Sequence, residues 1–195
     1  MSYQGISSIS RFNLLKKVVF LDRDGVINQD SANYIRCWDE FVFLPRSLEA
    51  LKFLTLRGYT LIVITNQSII NRGWIRSELL ENTHRRMKQA VKSSGGRIFD
   101  IFFCPHTPDE NCDCRKPKPG LILKACLKHD IDVSDAVMVG DSAKDILCGI
   151  AAGCGKTILV ETGNGQAAQK ALTQQHVFPD IVVSDLLEAA QWIAA

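Results

Sequence analysis

The chain has 195 residues, 46% of them hydrophobic, with 23 Lys and Arg against 21 Asp and Glu. That length and apolar content fit one globular domain, residues 1–195, with a sizeable core, and the near balance of charge excludes the global cationic field that nucleic-acid binding needs. No apolar run approaches the roughly 20 residues that span a bilayer, and the first ten residues lack the charged-then-apolar order of a signal peptide, so a cytoplasmic location with neither membrane nor nucleic-acid partner is expected.

The first predicted strand, residues 17–22, ends in Asp22-Arg23-Asp24-Gly25-Val26-Ile27. Alternation along an extended chain sends residues i and i+2 to one side, so Asp22 and Asp24 can address one ligand from a strand end, where open α/β sheets bind. Two such carboxylates can hold Mg²⁺ through oxygen, or divide into a nucleophile and a general acid/base; a polar strand end and turn is the structural alternative. Residues 26–43 have room for a short hairpin and not for a folded cap. A helix over 46–57 leads to the second strand, 60–65, which runs into Thr65-Asn66-Gln67-Ser68. The next helix, 76–93, carries His84-Arg85-Arg86-Met87-Lys88, read as a solvated face.

The third strand, 99–104, opens a cysteine-rich loop, residues 104–114, in which Cys104, His106, Cys112 and Cys114 follow the pattern C-x-H-x5-C-x-C. Three thiolates and one imidazole meet the tetrahedral requirement of a structural Zn²⁺ site with no position left for water. Such a site carries one net negative charge, which favours the adjacent Arg115. Seven cysteines without framework spacing argue against disulfides, and Cys37, Cys126, Cys148 and Cys154 read as small buried residues. His106 is the one histidine with a functional assignment.

After Arg115-Lys116-Pro117 come a helix over 120–129 and a strand over 136–140 that ends in Gly140-Asp141-Ser142, with Asp145 three residues on. Asp145 suits either support of a metal or a helix N-terminus. A helix over 143–152, a strand over 157–161, an edge strand at 181–183 and a helix from residue 184 complete the order. Gly153-Cys154-Gly155-Lys156-Thr157 looks like the end of a P-loop, but Ile150 stands where that motif needs glycine and a strand follows, so it reads as a helix stop. Strands alternating with helices predict an α/β fold: a three-layer, Rossmann-like, doubly wound parallel sheet without a large cap domain.

Asp22 to Asn28, DRDGVIN, resembles the first motif of the haloacid dehalogenase-like (HAD-like) phosphohydrolases, and the strand ending in Thr65-Asn66, the Arg115-Lys116-Pro117 cations and the Gly140-Asp141 strand end follow in that superfamily's order. The resemblance implies an HAD-like fold in which Asp22 attacks phosphorus and Asp24 is the acid/base. It implies Mg²⁺ held by Asp22, the Asp24 carbonyl and Asp141. Thr65, the Asn66 amide and Lys116 would bind phosphate oxygens, while Asn66, Gln67, Ser68 and Arg115 would face the substrate. Within the superfamily, Thr65-Asn66-Gln67-Ser68 with Asn71-Arg72-Gly73, the run Arg115 to Gly120, residues 28–43 with Tyr34 and Phe41, and Thr162 to Gly165 resemble the D-glycero-D-manno-heptose 1,7-bisphosphate phosphatases. The five-residue gap in the cysteine loop resembles the related histidinol-phosphate phosphatases. Ile69 and Ser142 depart from the heptose pattern, which usually has glycine at the first and in some relatives a substrate-touching lysine at the second; Lys144 can supply that contact. A monomer acting on a small-molecule sugar phosphate, with removal of its C7 phosphate, is expected. A zinc-stabilised binding module on a degenerate phosphatase fold is the alternative of another class.

Overall fold

In the computed structural model, which describes residues 17–195, six strands form one sheet: β1 (Val18–Leu21), β2 (Thr60–Asn66), β3 (Ile98–Cys104), β4 (Val137–Gly140), β5 (Lys156–Val160) and β6 (Ile181–Val183). Their order is β3-β2-β1-β4-β5-β6 and every pairing between them is parallel. Six helices connect and cover them: α1 (Ser47–Leu56), α2 (Ser77–Ser93), α3 (Gly120–His129), α4 (Ala143–Ala152), α5 (Gly165–Gln174) and α6 (Leu186–Ile193). The reading of the first ten residues lies outside the described part of the chain.

The two-residue period of a strand sorts the core into two layers. Val19 and Leu21 of β1, Leu61 and Val63 of β2 and Val137 and Val139 of β4 pack with α1, α2 and α6. Val18, Phe20, Ile62, Ile64 and Met138 face the other way, onto α3 and α4. A smaller cluster of Ile146, Leu159, Ala168 and Leu172 joins α4, β5 and α5. Strands buried on both faces read as continuous apolar runs, which is why their positions were evident. The chain moves outward from β1 to β3, then crosses to β4 on the other side of β1. The crevice at the carboxyl ends of β1 and β4 is therefore the switch point of the sheet, where ligands bind in such folds.

Between β1 and α1 the chain makes a short antiparallel clasp: the Gln29 amide donates to the Val42 carbonyl at 2.8 Å and the Leu44 amide to the Ile27 carbonyl at 3.0 Å. Trp38 stacks on Phe41 and Phe43 meets Phe41 edge-on, the centroids 5.1 Å apart in each pair. No folded cap intervenes. Gly153 ends α4 in a left-handed conformation, φ 84°, and β5 follows, as the helix-stop reading expects.

Two readings need correction. The sequence predicts no element between residues 161 and 181, yet α5 lies there; Gly165, Ala168 and Leu172 are its whole buried face and give too narrow an apolar stripe to register. The His84–Lys88 run is not uniformly solvated. Leu80, His84, Met87 and Val91 recur at helical spacing on the buried face of α2, while Arg85 and Arg86 are exposed. No helix among the described residues is long and apolar enough to cross a membrane.

Phe20, fully buried at the centre of the sheet, tests this packing. Phe20→Ala is expected to lower unfolding stability by about 3–5 kcal/mol, read from urea denaturation midpoints.

Candidate active site

The strand β1 ends where the Asp22 amide donates to the Val139 carbonyl at 3.0 Å. Asp22 Oδ1 accepts the Arg23 amide at 2.7 Å and lies 2.9 Å from Lys116 Nζ. The same ammonium is 2.6 Å from Asp145 Oδ1 and donates to the Ile64 carbonyl at 2.9 Å, with only 2% of the lysine exposed. Burial alone would lower the Lys116 pKa; Asp145 and Asp22 outweigh it and hold the ammonium above the usual lysine range. Carboxylate oxygens of Asp22, Asp141 and Asp145 approach within 4.8 Å of one another. Burial raises Asp22 well above the usual carboxylate range, Lys116 lowers it, and Asp145 and Asp141 raise it again. Burial, then Asp145, pushes Asp141 up to about 7. Three carboxylates facing one ammonium leave unbalanced negative charge on a set of hard oxygen donors, which suits Mg²⁺.

Tight loops aim this cluster. Gly25 and Gly163 both have positive φ, 81° and 58°, and a Cβ on either would collide with the Asp141 carboxylate. Thr162 Oγ1 donates to the Gly25 carbonyl at 2.7 Å and the Asn164 amide donates to Asp141 Oδ2 at 2.8 Å. Asp145 serves twice. Its Oδ2 accepts the Ser142 amide at 3.0 Å and the Ser142 hydroxyl at 2.7 Å, capping α4, while Oδ1 faces Lys116.

Asp24 sits in different surroundings. The fully buried Arg23 side chain forks onto it, with Nη2 at 2.8 and 2.9 Å from the two oxygens and Nε at 3.1 Å from Oδ1. Asn28 Nδ2 and Gln67 Nε2 each donate to Asp24 at 2.8 Å. Burial would raise Asp24, but Arg23, Asn28 and Gln67 together hold it below the usual range. Behind the fork, Arg23 Nη1 is 3.2 Å from His84 Nε2, and burial with the Arg23 charge drives His84 down to about 3, so its ring is neutral.

A cleft of about 330 Å³ opens over Asp22, Asp24, Thr65, Arg115, Lys116 and Asp141, with Asn66, Tyr34 and Lys144 also on its wall. Asn66 Oδ1 accepts the Lys116 amide at 3.1 Å and Asn66 Nδ2 donates to the Lys116 carbonyl at 3.2 Å, pinning the motif to β2. Gln67 and Ser68 are buried and stand behind the cleft: Gln67 links Asp24 to Thr65 Oγ1 at 3.0 Å, and Ser68 Oγ is 3.4 Å from the Tyr34 hydroxyl. Ile69 is fully buried and stays off the cleft wall. Arg23 and His84 were not foreseen as site residues. The one sequence signal for Arg23 was its place between two acids.

In the cysteine loop the sulfurs of Cys104, Cys112 and Cys114 lie 3.2–3.5 Å apart, with His106 Nδ1 3.5 Å from Cys104 and 3.2 Å from Cys114. Four soft and borderline donors converge within 4.8 Å of one another and all three thiols are free, so the residues fit Zn²⁺. Arg115 Nη1 donates to the His106 carbonyl at 3.0 Å, which ties the loop to the cleft wall.

The family model described as HAD-hydrolase-like matches residues 113–189. A D-glycero-beta-D-manno-heptose-1,7-bisphosphate 7-phosphatase of Neisseria meningitidis is 42% identical over 180 residues, covering 91% of this chain and 94% of its own. A D-glycero-alpha-D-manno-heptose-1,7-bisphosphate 7-phosphatase of Photorhabdus laumondii is 36% identical over 181 residues, covering 88% and 97%. Among solved structures, a D,D-heptose 1,7-bisphosphate phosphatase from B. bronchiseptica complexed with magnesium and phosphate superposes with a TM-score of 0.84 at 39% identity, covering 91% and 97% of the two chains.

The acid cluster predicts a pH-dependent response to metal. Folded Asp141 holds its proton up to about 7, so between the ordinary carboxylate value and that point the folded state binds more protons, and the stability it contributes falls as pH rises. Mg²⁺ competes with that proton. The rise in melting temperature on adding saturating Mg²⁺ is expected to be larger at about pH 8 than at about pH 6, as differential scanning fluorimetry would show.

Proposed function

Because the chain belongs to the D-glycero-D-manno-heptose 1,7-bisphosphate 7-phosphatase family, we propose that it is a Mg²⁺-dependent phosphomonoester hydrolase that removes the C7 phosphate of this sugar bisphosphate. The observation that carries the reading is the buried Lys116 ammonium between Asp22 and Asp145, beside Asp141, at the sheet's switch point. The histidinol-phosphate alternative is not favoured, since relatives matched over nine-tenths of their length are heptose phosphatases.

Asp22 attacks phosphorus: an Asp22 oxygen–phosphorus bond forms and the bond to the sugar C7 oxygen breaks, its electron pair leaving on that oxygen. Asp24 gives the leaving oxygen a proton. Water then attacks the aspartyl phosphate, Asp24 takes its proton back, and Asp22 and inorganic phosphate are released. The doubly charged phosphate group of the incoming substrate opposes an ionised Asp24, which favours the protonated form the first step needs. Lys116 and the Thr65 hydroxyl bind the equatorial oxygens of the transferring group, where charge stabilisation matters most. Asp22, Asp141 and the Asp24 carbonyl would hold Mg²⁺. When bound, it supplies positive charge that keeps Asp22 ionised and offsets repulsion from the phosphate. Arg115 contacts a phosphate or sugar oxygen with its planar fork. Zn²⁺ in the loop would hold Arg115 at its post through the His106 carbonyl. The greater identity to β-anomer enzymes, 42% against 36%, favours the β anomer.

With Mg²⁺ present, kcat/KM is expected to be highest for the β heptose bisphosphate, lower for the α anomer and lowest for histidinol phosphate. Asp22→Asn should abolish turnover of all three. A folded wild-type protein inactive on every phosphate ester would instead support a binding module. Cys112→Ser is expected to raise KM about tenfold or more, as loss of one charge-assisted contact implies, while leaving the Mg²⁺ shift in melting temperature intact.

A further inference from the structure

Arg23 brings a permanent charge into the core with none of its surface exposed. Its donors divide between two partners. Nε and Nη2 form the fork on Asp24, and Nη1 points the other way, 3.2 Å from His84 Nε2. The planar guanidinium couples these two ends, since fixing Nη1 sets the plane in which the fork meets the carboxylate. Beyond His84 lies a surface cleft of about 460 Å³, bordered by Glu81, Arg85, Lys88, Asp100 and Phe103. The His84 ring meets Phe103 edge-on, with centroids 5.9 Å apart, and closes the path from that cleft to Arg23. A guanidinium without its His84 acceptor has a buried donor unsatisfied and water on that side to turn toward. The fork would then be free to tilt on Asp24, leaving Asn28 and Gln67 as its fixed donors.

We propose that His84 is a positioning residue for phosphoryl transfer: by accepting from Arg23 it fixes the guanidinium that aims the Asp24 carboxyl at the leaving oxygen. The inference rests on the reading of Asp24 as acid/base, and its test separates the two. Proton donation matters for a sugar alkoxide and little for a phenolate that leaves readily. A defect confined to Asp24 positioning therefore depends on the leaving group, whereas general damage to the core does not.

The experiment compares kcat/KM, which reports the step up to leaving-group departure, for the heptose bisphosphate and for para-nitrophenyl phosphate with Mg²⁺ present. Full general acid catalysis is worth about 10²–10⁴-fold, so His84→Met, which keeps bulk and removes the acceptor, should lower the sugar value about 10- to 100-fold and the aryl value less than about threefold. His84→Gln, whose amide reaches the Nε2 position, should restore the sugar value to within about threefold of wild type. His84→Asn, shorter and polar, replaces His84→Met with the same expectation should the latter not fold. Equal losses on both substrates, or none on either, while Asp24→Asn remains selective for the sugar, would overturn the role of His84 alone. An Asp24→Asn variant impaired equally on both would overturn the acid assignment and the proposal with it.

Discussion

The Lys116 ammonium has oxygen neighbours from three parts of the chain: Asp22 at the end of β1, Asp145 in the first turn of α4, and the Ile64 carbonyl within β2. A buried cation is costly unless its partners are held in place, and removing one partner leaves an uncompensated charge. That requirement is met where the ends of β1, β2 and β4 lie side by side in the sheet. The loop that delivers Lys116 is in turn locked at both sides. Asn66 clasps the Lys116 backbone, and the preceding residue, Arg115, is tied to His106 in the cysteine loop. The sheet and the first turn of α4 thus supply the acids, and a single lysine bridges two of them.

The resulting electrostatics separate two carboxylates that are only two residues apart. Asp22 shares its surroundings with Asp141 and Asp145, and burial with like charge raises it; Asp24 is also buried, yet the Arg23 fork holds it down. Equivalent groups in sequence have become unequal in environment, the usual condition for one to act as nucleophile and the other as proton carrier. The excess negative charge around Asp22 suits a dication, as the proposed mechanism requires. Asp24 takes its compensation from a fixed cation of the protein.

Much of this is legible in the sequence, for a physical reason. Strands buried on both faces must be apolar throughout, and catalytic acids must follow them at the sheet's carboxyl edge, so Asp22, Thr65 and Asp141 stood out as polar residues ending apolar runs. The cysteine loop was legible because metal-ligand spacing is local. What escaped notice depends on partners distant in sequence. His84 lies 61 residues from Arg23, and helical spacing alone gave no sign of whether its face of α2 met solvent or a charged core. Gln67 and Ser68 follow the β2 end like Asn66, but they are buried behind the cleft wall, where Gln67 donates to Asp24 and Ser68 meets the Tyr34 hydroxyl. The helix α5 is hard to read because two of its three buried residues, Gly165 and Ala168, are small.

Without a cap domain, exclusion of water and recognition of the substrate fall to loops. Loops are poor at holding geometry unless something stiffens them. Each wall of this cleft has its own stiffener. The β1–α1 clasp is held by stacked aromatic rings, the turn at Thr162 by its bond to the Gly25 carbonyl, and the Arg115-bearing wall by four converging donors suited to a metal. The Arg115 wall carries the side chain proposed to recognise the substrate, and a metal on those four donors would be the strongest of these devices. A metal cross-link there would fix a long charged side chain whose own rotamer freedom would otherwise oppose binding.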